Sequence, residues 1–201
     1  MPDAEFAGIV LAAGASRRMG PGRNKLLLEL DGEPLVRRST RIALDAGLWP
    51  VVVVVGFEAE LVRAALGSLE CDIALNSGFD GPMSASVHVG LRRLPPSAHG
   101  AIVLLADMVR VTPEMIRAVR DTVPQHGAPI VASRYNGVMA PPVRFHRSMF
   151  PELLAWTGEG FKTVVQRHGD TVRHQEWPAP ALGDIDTPGD LQRQPGITTH
   201  H

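Results

Sequence analysis

Apolar residues fall along this chain in two alternating textures: short unbroken runs, and longer stretches in which they recur every three or four positions. Residues 7–11, Val51–Val55, Asp72–Leu75, 101–105 and 130–133 form runs of strand length. The five valines at 51–55 carry no polar alternation, which predicts a strand covered on both faces. Leu35, Val36, Ser39, Ile42, Ala43 and Ala46 keep near 3.6 spacing and predict a helix that Gly47 can stop. Met115, Ile116, Val119 and Val123 mark another, with Thr112 as N-cap and Pro113 at its first position. Strands alternating with amphipathic helices predict an α/β domain with a mostly parallel sheet between helical layers.

The later third is less regular. Pro141 and Pro142 precede an apolar stretch at 143–145, which predicts a short or edge strand, because proline cannot donate to a ladder. Helical patterns follow at 149–156 and 162–167, and Val172–Trp177 reads as a last strand. With no repeat and no low-complexity linker, one domain over residues 1–195 is expected. A loose polar tail at 196–201 would follow it, ending in His200 and His201.

Composition narrows the function. At 44% hydrophobic and 20% charged, the 201 residues suit a soluble globular domain with a real core. A formal charge of −1 argues against nucleic acid or an acidic membrane as partner. The single cysteine, Cys71, excludes an internal disulfide and a cysteine zinc cluster; it reads as a small buried residue at a strand start. No apolar run approaches the roughly 20 residues that span a bilayer. The segment from Met1 to Phe6 lacks a signal pattern, so a cytoplasmic location is expected.

The segment from Gly8 to Lys25, G-I-V-L-A-A-G-A-S-R-R-M-G-P-G-R-N-K, concentrates the chemistry. A buried strand opens into small residues whose amides can close around an anion. Arg17, Arg18 and Lys25 add cations able to surround several phosphates. It is not a P-loop, which needs G-x-x-x-x-G-K-[ST], nor a G-x-G-x-x-G dinucleotide turn. Asp107 follows the run at 101–105, where ligands gather at the carboxyl ends of strands, and a carboxylate there suits Mg²⁺.

The string L-A-A-G-x-S-x-R-M-G followed by a lysine resembles the nucleotidyltransferases that handle molybdenum cofactor, both cytidylyl- and guanylyltransferases. That resemblance covers nearly the whole chain. It implies a three-layer α/β/α domain of the nucleotide-diphospho-sugar transferase (Rossmann-type) kind, with one antiparallel strand in its sheet. It implies a Mg²⁺-dependent transfer of a nucleoside monophosphate from an NTP to a phosphorylated acceptor, with molybdopterin first among acceptors and pyrophosphate released. Leu11, Ala12, Ala13, Gly14, Ser16, Arg18, Lys25 and Ser84 would bind the nucleotide. Arg18, Lys25 and Asp107 would be catalytic, and Asp107 and Asp186 would hold the metal. Ala13 matches relatives that read L-A-A-G and use CTP, where others read L-A-G-G and use GTP. A molybdoenzyme or its maturation factor is a further implied partner.

Other segments match with departures. Ala106-Asp107-Met108-Val109 stands where the family reads G-D-M-P, so the expected consequences are less room beside the ligand and an altered loop path. Asp184-Ile185-Asp186-Thr187-Pro188-Gly189-Asp190-Leu191 is similar to the D-[IV]-D-T-P-x-D-L segment, with Asp184 a weaker ligand candidate than Asp186. Thr187, Pro188 and Asp190 also make a sound helix start. Pro82-Met83-Ser84-Ala85-Ser86 is similar to the G-M-S-A-S loop; Ser84 suits either a nucleotide contact or a helix cap. On the acceptor side, Ala140-Pro141-Pro142-Val143-Arg144-Phe145 replaces G-H-P-V-L-F, and Gly158-Glu159-Gly160-Phe161-Lys162 replaces G-D-x-G-A-R. Arg144 and Lys162 remain as cations for an acceptor phosphate. These departures keep a non-catalytic nucleotide-binding or cofactor-delivery protein open as an alternative, and the same phosphate loop also fits a sugar-phosphate nucleotidyltransferase.

Overall fold

The computed structural model describes residues 6–20, 24–122, 128–183, 185, 189–190 and 197–198. Its first strand, β1 (Phe6–Ala12), becomes the middle of a seven-stranded sheet. Two short strands, β2 (Glu29–Leu30) and β3 (Glu33–Pro34), form a hairpin before helix α1 (Leu35–Asp45). Then come β4 (Val51–Val55), α2 (Ala59–Leu66), β5 (Asp72–Leu75), α3 (Met83–Arg93), β6 (Gly100–Leu105) and α4 (Pro113–Asp121). The rest comprises β7 (Ile130–Tyr135), β8 (Val138–His146), α5 (Phe150–Ala155), α6 (Lys162–His168), β9 (Val172–Trp177) and β10 (Ile197–Thr198).

The sheet runs β5-β4-β1-β6-β8-β7-β9, and β8 alone is antiparallel to its neighbours. All five valines of β4 are fully buried, and they alternate between two cores. Val10, Ala12, Val51, Val53 and Val55 pack with α1, α2 and α4 on one face. Ile9, Leu11, Val52 and Val54 pack with α3, α5 and α6 on the other. The layered α/β/α architecture expected from the sequence is therefore present. Gly90 lets α3 settle onto β1, since a Cβ there would meet Ile9 Cγ2 at 2.6 Å.

Thr112 caps α4 as expected, accepting from the Met115 amide, with Pro113 at the first position. Gly47, at φ +75°, follows the α1 cap. The reading of an edge strand at 143–145 is corrected. Here β8 is nine residues long and lies inside the sheet, between β6 and β7. The prolines fit because the pairing with β6 reaches only as far as Val143, while on the β7 side a register shift between Ala132 and Arg134 spans them. Their carbonyls accept instead from Tyr135 Oη (to Pro141) and Ser133 Oγ (to Pro142), both at 2.8 Å. Ile197 and Thr198, in the segment expected to be a loose tail, pair antiparallel with Leu30 and Glu29. Cys71 precedes β5 and is half-buried; burial pushes its thiol up. Among the described residues no helix is long and apolar enough to cross a membrane.

A third, smaller core decides where the site's loop sits. Met19, Leu30, Leu35, Val109 and Ile185 bury one another, with Ile185 and Leu35 at or below 1% exposure. These five residues come from the loop after β1, β2, the start of α1, the loop after β6 and a segment 166 residues beyond Met19. Two backbone bonds fasten that late segment: Val109 N–H to Gly183 O at 2.9 Å, and Ile185 N–H to Asp107 O at 3.3 Å.

Candidate active site

Strand order reverses at β1: the chain passes outward through β4 and β5 on one side, then returns to lay β6 on the other. Such a switch leaves a crevice beyond the carboxyl ends of the two diverging strands. Leu11 of β1 faces Leu105 of β6 in register, and both line a cleft of about 530 Å³. The loop following β1 forms one wall, from Ala13 to Arg18 plus Lys25. The segment from Phe79 to Met83, with Ser86, forms the facing wall, and Asp107 and Glu159 complete the lining.

Local chemistry shapes the first wall. Ser16 takes a left-handed backbone, φ 51°, and its Oγ accepts the Lys25 amide at 3.1 Å. That bond draws the loop back on itself. Asn24 Oδ1 caps the following turn by accepting the Leu26 amide at 3.1 Å. Lys25 thereby points across the cleft, and its Nζ meets Asp107 Oδ2 at 2.5 Å. Both side chains are mostly buried, at 13% and 16% exposure. The other carboxylate oxygen, Asp107 Oδ1, is buried with no hydrogen-bond partner among the described residues. A buried carboxylate oxygen without a partner costs free energy unless something positive meets it.

At the mouth, Arg17 Nη2 lies 2.8 Å from Asp80 Oδ1, bridging the two walls, with both side chains about 70% exposed. Among the described residues, three cations (Arg17, Arg18, Lys25) and three carboxylates (Asp80, Asp107, Glu159) line the cleft. Sequence reasoning named the cations and Asp107 but not Asp80 or Glu159. Asp80 and Glu159 stand in loops whose approach to the first wall is set only by the folded chain.

The remaining expected site residues are distributed unevenly. Ala13, Gly14, Ser16 and Arg18 line the cleft, whereas Ala12 turns to the opposite face and packs in the first core. Ala13 is 4% exposed; its carbonyl accepts the Phe57 amide at 3.1 Å. A Cβ on the neighbouring Gly56 would come within 2.9 Å of the Ala13 Cβ. Ser84 is 1% exposed and does not line the cleft; it lies inside α3, whose N-cap is Pro82, so it does not cap that helix. Its amide donates to Gly158 O at 3.0 Å. Ser86, two residues on, is the serine in the cleft wall.

Ala106 does not narrow the cleft. Strand alternation sends its methyl into the first core, with Asp107 on the cleft side. Val109 takes its place in the third core. Arg144 is a correction: it is 4% exposed, donates to the carbonyls of Arg120 (2.6 Å) and Thr122 (2.9 Å), and lies over the Phe6 ring at 5.2 Å. Burial pushes its guanidinium down from the usual arginine value. Lys162 is exposed at the start of α6. Asp184, Asp186, Thr187 and Pro188 lie outside the described residues, although Gly183 and Ile185 are bonded to the Asp107 loop.

Several known proteins are similar to this chain. Residues 8–172 match the family model described as MobA-like NTP transferase domain. The bifunctional protein GlmU of Anaeromyxobacter sp. (strain K) is 35% identical over 117 residues, covering 57% of this chain and 24% of that one. The chain thus spans about a quarter of the length of the GlmU relatives it matches. The purine catabolism protein PucB of Bacillus subtilis is 30% identical over 192 residues, covering 90% of this chain and 91% of PucB. A probable molybdenum cofactor guanylyltransferase of Opitutus terrae is 43% identical over 73 residues, 36% of this chain and 35% of that one. Among solved structures, Rv0371c of Mycobacterium tuberculosis superposes with a TM-score of 0.82 at 29% identity, covering 94% of this chain and 97% of that one. A second structure of Rv0371c, in complex with manganese, gives 0.79 at 27% identity and the same coverages.

Proposed function

The chain belongs to the MobA-like NTP transferase family and is a nucleotidyltransferase, and on that premise we propose that it transfers CMP from CTP to the phosphate of molybdopterin or a similar phosphorylated acceptor. One observation carries the reading: Lys25 and Asp107 meet on the cleft floor while Asp107 Oδ1 stays buried and unpartnered among the described residues.

An acceptor phosphate oxygen attacks the α-phosphorus of the NTP, and pyrophosphate leaves. Such a displacement needs alignment and charge neutralisation more than a covalent nucleophile. Arg18 and Lys25 hold the triphosphate and stabilise the departing pyrophosphate. The amides of Gly14 to Ser16 follow the phosphates, and the Ala13 side of the cleft receives the base.

Asp107, a hard oxygen donor with one oxygen unpartnered among the described residues, fits a divalent cation. Among the described residues the lining holds as many carboxylates as cations, so a metal ion would add positive charge for a triphosphate. Asp107, together with Asp186, would hold Mg²⁺, whose chemistry there is to neutralise phosphate oxygens. The manganese in Rv0371c supports divalent-metal use of this kind.

The assay is pyrophosphate release from each of the four NTPs with Mg²⁺ and molybdopterin. CTP-dependent release is expected. An NTP that binds without turnover on any phosphorylated acceptor would reverse the enzymatic reading.

A further inference from the structure

Asn76 lies between β5 and α3, 4% exposed, with its amide anchored on Val55 O at 2.8 Å. Its side chain can take only one orientation. Oδ1 accepts the Gly78 backbone N–H at 3.0 Å, and that group can only donate. Nδ2 therefore faces Ser86 and donates to its Oγ at 2.9 Å. A hydroxyl that accepts on one side keeps its own proton for another acceptor. Among the described residues nothing accepts the Ser86 proton, and Ser86 lines the cleft at 8% exposure.

We propose that Asn76 is a positioning and specificity residue: it fixes the Ser86 hydroxyl as a donor into the cleft, selecting a nucleobase that presents an acceptor atom there. A carbonyl oxygen or an unprotonated ring nitrogen satisfies that donor; an amino group or a ring N–H faces it as a second donor. The inference rests on the nucleotide reading given above and adds the polarity of one wall.

The test is calorimetric titration with Mg²⁺-CTP and with Mg²⁺-tripolyphosphate, which has the phosphates but no base. In Asn76→Asp, one carboxylate oxygen keeps the Gly78 N–H and the other takes the Ser86 proton, so lone pairs face the cleft. CTP affinity then falls at least tenfold more than tripolyphosphate affinity, which registers only the added charge. Ser86→Ala gives a loss confined to CTP, and in the double variant Asn76→Asp adds only the loss that tripolyphosphate also shows. If Asn76→Asp does not fold, Asn76→Ala must still weaken CTP and leave tripolyphosphate unchanged, because Ser86 is then free to turn. Parallel losses for both ligands, or Ser86→Ala binding CTP as tightly as wild type, overturn the proposal. Wild-type protein that binds neither ligand overturns the nucleotide reading and this inference with it.

Discussion

Lys25 and Asp107, 82 residues apart in the chain, join at 2.5 Å beneath the crevice between β1 and β6. The pair ties the loop of one strand to the loop of the next. It also leaves one Asp107 oxygen buried and unpartnered among the described residues.

Asp107→Asn keeps the shape and removes the charge. Turnover is expected to fall by about 10²–10³, the usual loss when one preorganised electrostatic group is removed from a reacting centre. The metal-dependent part of the NTP thermal shift should disappear as well. Wild-type rates with Asp107→Asn would remove this residue from the chemistry.

Ile185→Ala empties part of the third core. The expected cost is about 2–5 kcal/mol in urea unfolding. Because Met19 shares that core, the loop carrying Arg17 and Arg18 loses support, and KM for the NTP should rise more than kcat falls. A stability loss with unchanged KM would separate the loop from the core beneath it.

How much of this was legible in the sequence depends on whether local pattern or distant contact decides the outcome. The valines of β4, the Thr112–Pro113 start of α4 and the cationic turn after β1 are readable because spacing and residue type suffice. The place of β8 was not, since two prolines argue for an edge until the register shift opposite them is known. Arg144 looked like a ligand for phosphate, but its partners are carbonyls near the end of α4, which no spacing rule connects to it. Ser84 and Ser86 share the first turn of α3 and point to nearly opposite sides of it, with only Ser86 on the cleft side. Of the acids on the opposing wall, Glu159 lies in the stretch set against G-D-x-G-A-R without being marked as a site residue, and Asp80 matches no motif position.

Arg144→Met tests that structural role. It removes a charged donor from two carbonyls and should destabilise the fold by about 2–4 kcal/mol in urea titration. NTP affinity of the folded variant should match wild type. A selective loss of acceptor binding would restore the discarded reading.

Acid sensitivity has an identifiable source in the β3–α1 corner. Arg41 donates through Nε and Nη2 to the two oxygens of Glu33, at 2.9 and 2.8 Å, and that hydrogen bonding holds the Glu33 carboxyl below its ordinary value of 4.5. Its stabilisation is therefore fully present above pH 4.5 and fades as pH falls through the lowered folded value. The pair is partly exposed, so the contribution is at most about 1 kcal/mol. Glu33→Gln should flatten that limb of a stability–pH curve and lower the plateau above it; an unchanged acid limb would place the effect elsewhere.

Ala13→Gly removes a methyl between the cleft and Gly56. If that methyl limits base size, the CTP to GTP preference in turnover should shift toward GTP by about 1–3 kcal/mol at most. An unaltered ratio would show that this methyl takes no part in base choice.

The bridge from Arg17 to Asp80 gives the mouth of the cleft a distinctive thermodynamics. On the nucleotide reading proposed above, Arg17 meets a triphosphate while paired with Asp80, so entry is an exchange of one anion for another around the same guanidinium. The net attraction is the difference between two partners, and Asp80, once released, is left facing the incoming polyanion. Without compensating positive charge that exchange runs uphill for Asp80, so a counter-ion travelling with the nucleotide improves its admission before any bond has changed.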